Sequence, residues 1–467
     1  MKIHFIGIGG FGMSALAEYC IAEGHSVTGS DISLSNLLKN LIEKGANINI
    51  GHSEENLADD TDLVVYTPAI ANDNPELIKA QKLKLRILKR AELLGVVVNE
   101  KKLIAVSGTH GKTTTSAMIA YTLIKSNFDP TVFVGGELVF LENSTFRTGK
   151  SNIVVVEADE YDRSFLTLKP DIVVITNIDL DHLDIYKNIE DIKSGFRMFL
   201  KNSKPNSIFV ANGDDENVLD VLSDFDRNRI ITFGYKKEND LYIDDCDNGN
   251  ENKFQIIVNN PKNVFTSKSK FEIQLEVKGK HNALNCLASY ITCMFLELKT
   301  EMYVNVIKYF PGVRRRIELK YKNSFEVYDD YAHHPVEIKA TFEALKKGFN
   351  GKMITIFQPH LYSRTKDFYI QFAESLKDND IVILTDIYPA REEPIKDVSS
   401  KLIFDEIKRK YNCEVYYVKR ENIISFLNRL PVENSRIIFQ GAGDITNVCE
   451  NFVNALKEKK KRISENS

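Results

Sequence analysis

The stretch LIAVSGTHGKTTT, residues 103–115, runs from an apolar strand pattern through a glycine loop into a helix, and its reading decides the fold. A loop of this kind between strand and helix gathers backbone N–H groups around phosphates. Its lysine, Lys112, reaches the outer phosphates, and its Thr113 hydroxyl offers a ligand to Mg²⁺. The loop is two residues shorter than the usual G-x-x-x-x-G-K-[ST], because Val106 stands where the first glycine is expected. An exposed Gly-Lys-Thr turn with no ligand is the plain alternative. The strands that follow argue against it.

Working outward, NIVVVEADE (152–160), DIVVITNID (171–179) and SIFVANGDD (207–215) are apolar runs that end in polar clusters, as buried parallel strands do. Ligands of such sheets sit at the carboxyl ends of the strands, where these clusters fall. Glu157 is a hard oxygen ligand suited to Mg²⁺, and His182 is an acceptable second donor. Alone, His182 reads as a structural histidine. Beside Asn177, Asp179 and Asp181, in a domain that also holds a phosphate loop, it reads as a ligand. Asp159 and Glu160 could ligate as well, although a solvated acidic turn explains them equally.

A second glycine loop lies upstream in KIHFIGIGGFGMSALAEYC, residues 2–20. Gly7, Gly9 and Gly12 satisfy G-x-G-x-x-G after a strand and before a helix, and Asp31 ends the next strand. The helix N-terminus attracts a pyrophosphate. The motif does not separate NAD from another nucleotide diphosphate such as a UDP-sugar.

The remaining rhythm completes the architecture. Strands are expected at 3–6, 25–31, 48–50 and 63–66, with helices at 11–22 and about 89–102. From 230 to 278 the pattern shortens into hairpins and loops, and a helix starts near 281. PGVRRRIE (311–318) breaks the rhythm, after which strands and helices alternate again. The expected fold is α/β in three units: a Rossmann-like domain at 1–97, a central P-loop ATPase-like domain with a parallel sheet at 98–311, and a Rossmann-like C-terminal domain at 312–467.

Composition narrows the class. The chain has 467 residues, 43% hydrophobic and 27% charged, with a formal charge of −4, which gives no reason to expect a nucleic-acid or membrane surface. The basic run Lys457 to Arg462 suits a solvated helix end. Six cysteines form no CxxC and no zinc spacing, as in a reducing cytoplasm. Residues 1–17 mimic a signal peptide only loosely, since glycines interrupt the apolar run. No stretch approaches the roughly 20 apolar residues that span a bilayer.

Taken together, HFIGIGGFGMS, GTHGKTTT, EADEYDRSFL, TNIDLDHLDIY, GKHNALNCLAS, GVRRRIE, DDYAHHPVEI, FQPHLYSRT and DIYPAREEP resemble the Mur ligases nearly end to end, and most closely those members that join L-alanine to UDP-N-acetylmuramate. The resemblance implies that the two glycine loops hold different nucleotides. Gly7, Gly9, Gly10, Gly12, Met13, Ser14, Asp31 and Arg90 would serve the UDP-sugar. Gly108, Thr109, His110, Gly111, Lys112, Thr113 and Thr114 would cradle ATP, with Asn282 and Asn285 near the adenine, Arg315 near the phosphates and Asp330 near the nucleotide. Thr113, Glu157 and His182 would hold Mg²⁺, two ions in all. Tyr331, His333, His360 and Arg364 would face the amino acid. Lys112, Glu157, His182 and Arg315 form the implied catalytic set, in a cytoplasmic enzyme that is a monomer or weak homodimer.

The implied reaction passes through an acyl phosphate, which an amine then attacks, and closure of the domains would keep water away. The base for the amine is not assigned. One departure stands out: where the family pattern reads QPHRYTRT, this chain has Leu361 in place of an arginine associated with the amino-acid carboxylate. Lys193 is a candidate for the modified lysine that some Mur ligases carry. Three rivals are a ligase that joins a ready-made tripeptide to the same UDP-sugar, an NAD-dependent oxidoreductase, and an ATP-driven binding module. The first block, GIGGFGMS, fits the alanine-adding type better than the tripeptide ligase. The oxidoreductase leaves the second loop unexplained, and the binding module has no need of DDYAHHP and FQPH.

Overall fold

The structure is a computed structural model that describes residues 1–180, 185–244, 253–262, 264–265, 267–390 and 392–465. It contains three sheets. The first has five parallel strands, in the order Asn47–Ile50, Ser26–Asp31, Lys2–Ile6, Leu63–Tyr66 and Arg86–Lys89. The strand order reverses beside Lys2–Ile6, so the loop at its carboxyl end, Gly7 onward, opens at the switch point where α/β sheets bind ligands.

The second sheet has ten strands. Its parallel centre places Lys102–Ser107 between Ile172–Ile175 and Ile153–Glu157, with Ile172 opposite Ile104 and Val106 opposite Glu157. Thr131–Leu138 and the antiparallel Ser144–Arg147 close one edge. Beyond Ile208–Asn212 and Ile230–Gly234, the strands Leu241–Asp244, Lys253–Val258 and Ser269–Gln274 form the other edge, the last two joined in antiparallel register. The hairpin character expected after residue 230 is found here. Helix Lys112–Lys125 begins at Gly111, whose φ of 84° makes the left-handed turn that glycine takes without strain.

These two sheets belong to one compact unit, which also contains Lys253–Glu276 and Ala283–Pro311. The reason lies in side-chain packing. Tyr19, on helix Phe11–Ala22, wedges against Phe133 and Phe146 of the central sheet, with ring centroids 6.0 and 6.3 Å away. One continuous apolar core runs from Ile3 and Phe5 through Tyr19 and Leu93 to Val156 and Phe209. Position 97, where the passage from helix to strand suggests a boundary, falls inside helix Arg90–Val98.

The second unit includes Val277–Asn282 and Gly312–Ser467. Its six-stranded sheet runs Glu318–Lys322, Glu326–Asp330, Ser435–Gln440, Lys352–Phe357, Ile381–Leu384 and Glu414–Tyr417, parallel except for the first pair. Apolar clusters centred on Ile437 and on Phe372 cover its two faces. Among the described residues, no helix is long and apolar enough to cross a membrane.

A buried polar knot fastens the first sheet. Asn74 caps helix Pro75–Lys82 by accepting from the Glu76 and Leu77 amides, at 3.0 and 3.2 Å. Glu76, fully buried, then accepts from Ser30 Oγ at 2.6 Å and Asn56 Nδ2 at 3.0 Å, and meets His4 Nε2 at 2.8 Å. Burial pushes its carboxyl up, but the hydrogen bonds from His4, Ser30 and Asn56 outweigh that and bring it from 4.5 down to about 2. A carboxyl depressed in the folded state stabilises fully above its unfolded pKa, and the contribution fades as the pH falls from about 4.5 through 2. The shift corresponds to about 3 kcal/mol. Glu76→Gln should therefore destabilise the chain at pH 7 and flatten its stability profile across that acid window, as read by amide exchange of Lys2–Ile6 against pH. An unchanged slope below pH 4.5 would contradict this.

Candidate active site

The loop Gly108 to Lys112 is pinned by the strand end beside it. Thr109 N donates to Asn177 O at 3.1 Å, His110 N to Asn177 Oδ1 at 2.8 Å, and the His110 carbonyl accepts from Thr176 Oγ1 and Asn177 Nδ2 at 2.6 and 2.9 Å. Asp179 N donates to Thr109 Oγ1 at 2.8 Å. The polar cluster that reads as metal chemistry in the sequence thus serves first as the clamp of the phosphate loop. Asn285 braces it from another side. Its Oδ1 accepts from Thr115 Oγ1 at 3.1 Å and lies where a Cβ on Gly111 would come within 2.7 Å. Thr114 is buried in the first turn of the helix.

Lys112 does not project into open space. Its ammonium donates to Gly108 O at 2.7 Å and to both Glu160 oxygens at 2.8 Å. Burial works against the charge, but Glu160 and Asp159 outweigh it, and the lysine pKa is raised. Glu160 is therefore a partner of the loop, and the reading of a solvated acidic turn fails for it: its side chain is 3% exposed.

Thr113 Oγ1 donates to Glu157 Oε1 at 2.9 Å, and Gly135 N holds the other Glu157 oxygen at 2.7 Å. Burial raises the Glu157 pKa against the pull of Gly135, Lys112 and Thr113. A carboxylate short of positive charge and a hydroxyl one hydrogen bond apart form a hard-oxygen pair that fits Mg²⁺. His182 lies outside the described residues. Lys193, on helix Ile189–Asn202, pairs with Glu190 and Asp220 at 2.9 and 3.2 Å.

A cavity of about 190 Å³ opens beside the first glycine loop and reaches Glu157, the carboxylate that Thr113 meets. Gly12 and Arg90 line one side, Glu157, Asp159 and Gly135 the other. The Arg90 guanidinium lies over Gly12, where a Cβ would meet Nη1 at 3.0 Å. Burial lowers the Arg90 pKa, opposed by the charges of Asp159 and Asp162. In the first loop, Gly7 N and Ile8 N donate to Ser30 O at 2.8 and 3.0 Å, and Gly9 N to Asp31 Oδ2 at 2.8 Å. Asp31 thus closes the loop, while Gly10 starts the helix. Met13 is packed in the core and the Ser14 hydroxyl turns back to Phe11 O at 3.0 Å.

In the second unit, rings cluster at the carboxyl ends of strands. His360 stacks on Tyr388 with centroids 5.7 Å apart, and His333 lies edge-on to His360 at 5.9 Å and to Tyr331 at 5.3 Å. Arg315 and Arg316 each lie 5.0 Å over the Tyr331 ring, and Arg315 donates to Gly441 O at 2.6 Å. Asp330, buried, accepts from Thr341 Oγ1 at 2.6 Å, Ile317 N at 3.1 Å and Gln440 Nε2 at 3.2 Å, so it fastens the turn that carries Arg315. Asn282 Nδ2 donates to Lys278 O at 2.7 Å. Arg364, 8% exposed, occupies the first turn of helix Tyr362–Leu376, and Leu361 before it holds φ 70° and ψ 139°. Tyr388, Glu160 and Thr176 lie inside blocks that carry the family resemblance, DIYPAREEP, EADEYDRSFL and TNIDLDHLDIY, but the sequence reading assigns no role to Tyr388 or Thr176 and takes Glu160 as a ligand or a solvated acid. Their positions just after apolar strands are the further signal that could have drawn attention to them.

Two α/β sheets with two glycine loops and a ring-lined third sheet match known families over almost the whole chain. Residues 2–102 match "Mur ligase family, catalytic domain", 106–293 "Mur ligase middle domain", and 315–443 "Mur ligase, glutamate ligase domain". The chain belongs to the Mur ligase family. It is 43% identical over 453 residues to the UDP-N-acetylmuramate–L-alanine ligase of Acetivibrio thermocellus, covering 97% of this chain and 95% of that one. It is 41% identical to the ligase of the same name from Clostridium tetani, covering 97% and 98%. The crystal structure of the UDP-N-acetylmuramate-alanine ligase of Thermotoga maritima superposes with a TM-score of 0.80 at 31% identity, covering 98% and 100%. A murein peptide ligase from Psychrobacter arcticus shares the fold, with a TM-score of 0.71 at 22% identity over 98% of each chain.

Proposed function

We propose that this chain ligates L-alanine to the carboxylate of UDP-N-acetylmuramate, cleaving ATP to ADP and phosphate, in the cytoplasmic assembly of peptidoglycan precursors. The observation that carries the reading is a cavity lined both by Gly12 and Arg90 and by Glu157, whose carboxylate accepts from Thr113 of the second loop, so a sugar nucleotide seated on the first loop would extend its carboxylate toward that hydroxyl. Gly7 to Gly12 and Arg90 would hold the UDP-sugar, and Gly108 to Thr114 the ATP phosphates. Thr113, Glu157 and His182 would hold Mg²⁺, two ions in all, which neutralises charge on the phosphoryl oxygens when bound. Lys112 would stabilise the transferred phosphoryl group, giving an acyl phosphate. Tyr331, His333, His360 and Arg364 would receive the amino acid, whose amine attacks the acyl carbon and expels phosphate. Arg315 would add positive charge near the phosphates.

The test is phosphate release from ATP by purified protein with UDP-N-acetylmuramate and Mg²⁺, comparing L-alanine, L-serine, glycine and the tripeptide. L-Alanine should exceed glycine by about tenfold or more in kcat/KM, the discrimination available from one buried methyl group. A UDP-muramoyl-alanine product should accumulate. Release with the tripeptide alone would overturn the choice of acceptor, and would move the chain to the recycling reaction.

A further inference from the structure

Lys112 has three N–H bonds, and its acceptors are already in place: Gly108 O at 2.7 Å, both Glu160 oxygens at 2.8 Å and Thr109 O at 3.3 Å. A phosphate that reaches this ammonium must displace one of them. Two belong to the loop's own main chain, which the Asn177 clamp holds fixed. The carboxylate is the group that can leave.

The surroundings of Glu160 divide what is fixed from what can move. Its carbonyl accepts from Tyr186 Oη at 2.6 Å and from Arg163 N at 2.9 Å, and the next turn is set by positive φ at Asp162 and Arg163, 52° and 53°. The backbone is tied down, so exchange falls to the side chain. The pair is also shielded, with side chains 12% and 3% exposed, so each charge depends on the other for compensation.

Resting on the reading of the second loop as the ATP site, we propose that Glu160 is the resident counter-ion of Lys112, a positioning residue that holds the lysine in the empty loop and is exchanged for a nucleotide phosphate on binding. The affinity for nucleotide then reports a competition between two anions for one ammonium. Removing the protein's anion favours the nucleotide.

The experiment is calorimetric titration of the full chain with ADP, with and without Mg²⁺, alongside melting curves of the empty and ADP-bound protein. Glu160→Gln should bind Mg²⁺-free ADP about tenfold more tightly, since a competing charge is gone. The empty variant should melt lower, and ADP should raise its Tm more than it raises that of the parent chain. Glu160→Asp keeps the charge one methylene short of the lysine and should fall between the two. Equal or weaker ADP binding by both variants, together with a lower Tm, would overturn the proposal and leave Glu160 a structural post. Failure of the unaltered chain to bind ADP would instead overturn the ATP reading, and this inference with it.

Discussion

Lys112→Met is expected to lower phosphate release by roughly two to three orders of magnitude, the usual cost of deleting a group aimed at charge that develops in the transition state. Methionine nearly fills the lysine's length but supplies no charge and no donor. The loop also loses its internal fastening, because Gly108 O gives up its 2.7 Å partner and Glu160 is left as a buried carboxylate without its ammonium. Breaking such a pair costs about 3–5 kcal/mol, so stability must be read beside activity. Lys112→Met combined with Glu160→Gln removes that unpaired charge. If the double variant regains the parent's Tm but not its rate, the loss belongs to phosphoryl transfer and not to folding. Retention of a tenth or more of the parent rate in both variants would remove Lys112 from the chemistry. Binding of UDP, proposed for the first glycine loop on another sheet, should persist in both.

The same contrast between loop and partner explains how much could be read from the chain. Strands such as Lys102–Ser107 and Ile172–Ile175 are buried on both faces, so they appear as unbroken apolar runs. Arg86–Lys89 and Glu318–Lys322 are short, half-exposed edge strands with charges in them, and no periodicity marks them. Thr131–Leu138 carries two glycines, which weaken its strand signal, yet it supplies Phe133, on which Tyr19 packs. That contact ties together two units that the rhythm of elements separates. In the candidate site, the glycine loops are legible because their proposed binding groups are backbone amides, which a glycine pattern marks. The partner of Lys112 is not, since Glu160 stands only three residues beyond Glu157 in an acidic turn, and burial alone distinguishes it from a solvated carboxylate. The positive φ of Leu361 is likewise invisible, as nothing in a leucine announces a conformation that costs on the order of 1–3 kcal/mol.

Gly108→Ala is expected to reduce ATP and ADP affinity at least about a hundredfold, more than any other single methyl group added to the loop. The residue holds φ +135°, a conformation that L side chains rarely adopt, and a Cβ built there falls 2.1 Å from Thr176 Oγ1, 2.9 Å from Asn177 O and 3.0 Å from Asn177 N. Rotation of Thr176 would relieve only the first contact, and it would break the 2.6 Å bond by which that hydroxyl holds the His110 carbonyl. The other two contacts are main chain at the end of a central strand. The loop must therefore shift as a whole, carrying with it the amides and the lysine carbonyl partner that Gly108 provides. Gly24→Ala separates strain from obstruction: Gly24 has φ +80° but open space around its Cβ, so alanine there should cost about 1 kcal/mol in stability and leave nucleotide binding unchanged. Titration of both variants with ADP, and separately with UDP, decides the matter. Gly108→Ala should lose ADP and keep UDP, whereas loss of both would mean that the whole unit had unfolded, and retention of ADP would mean that the loop bends where the structure shows it clamped.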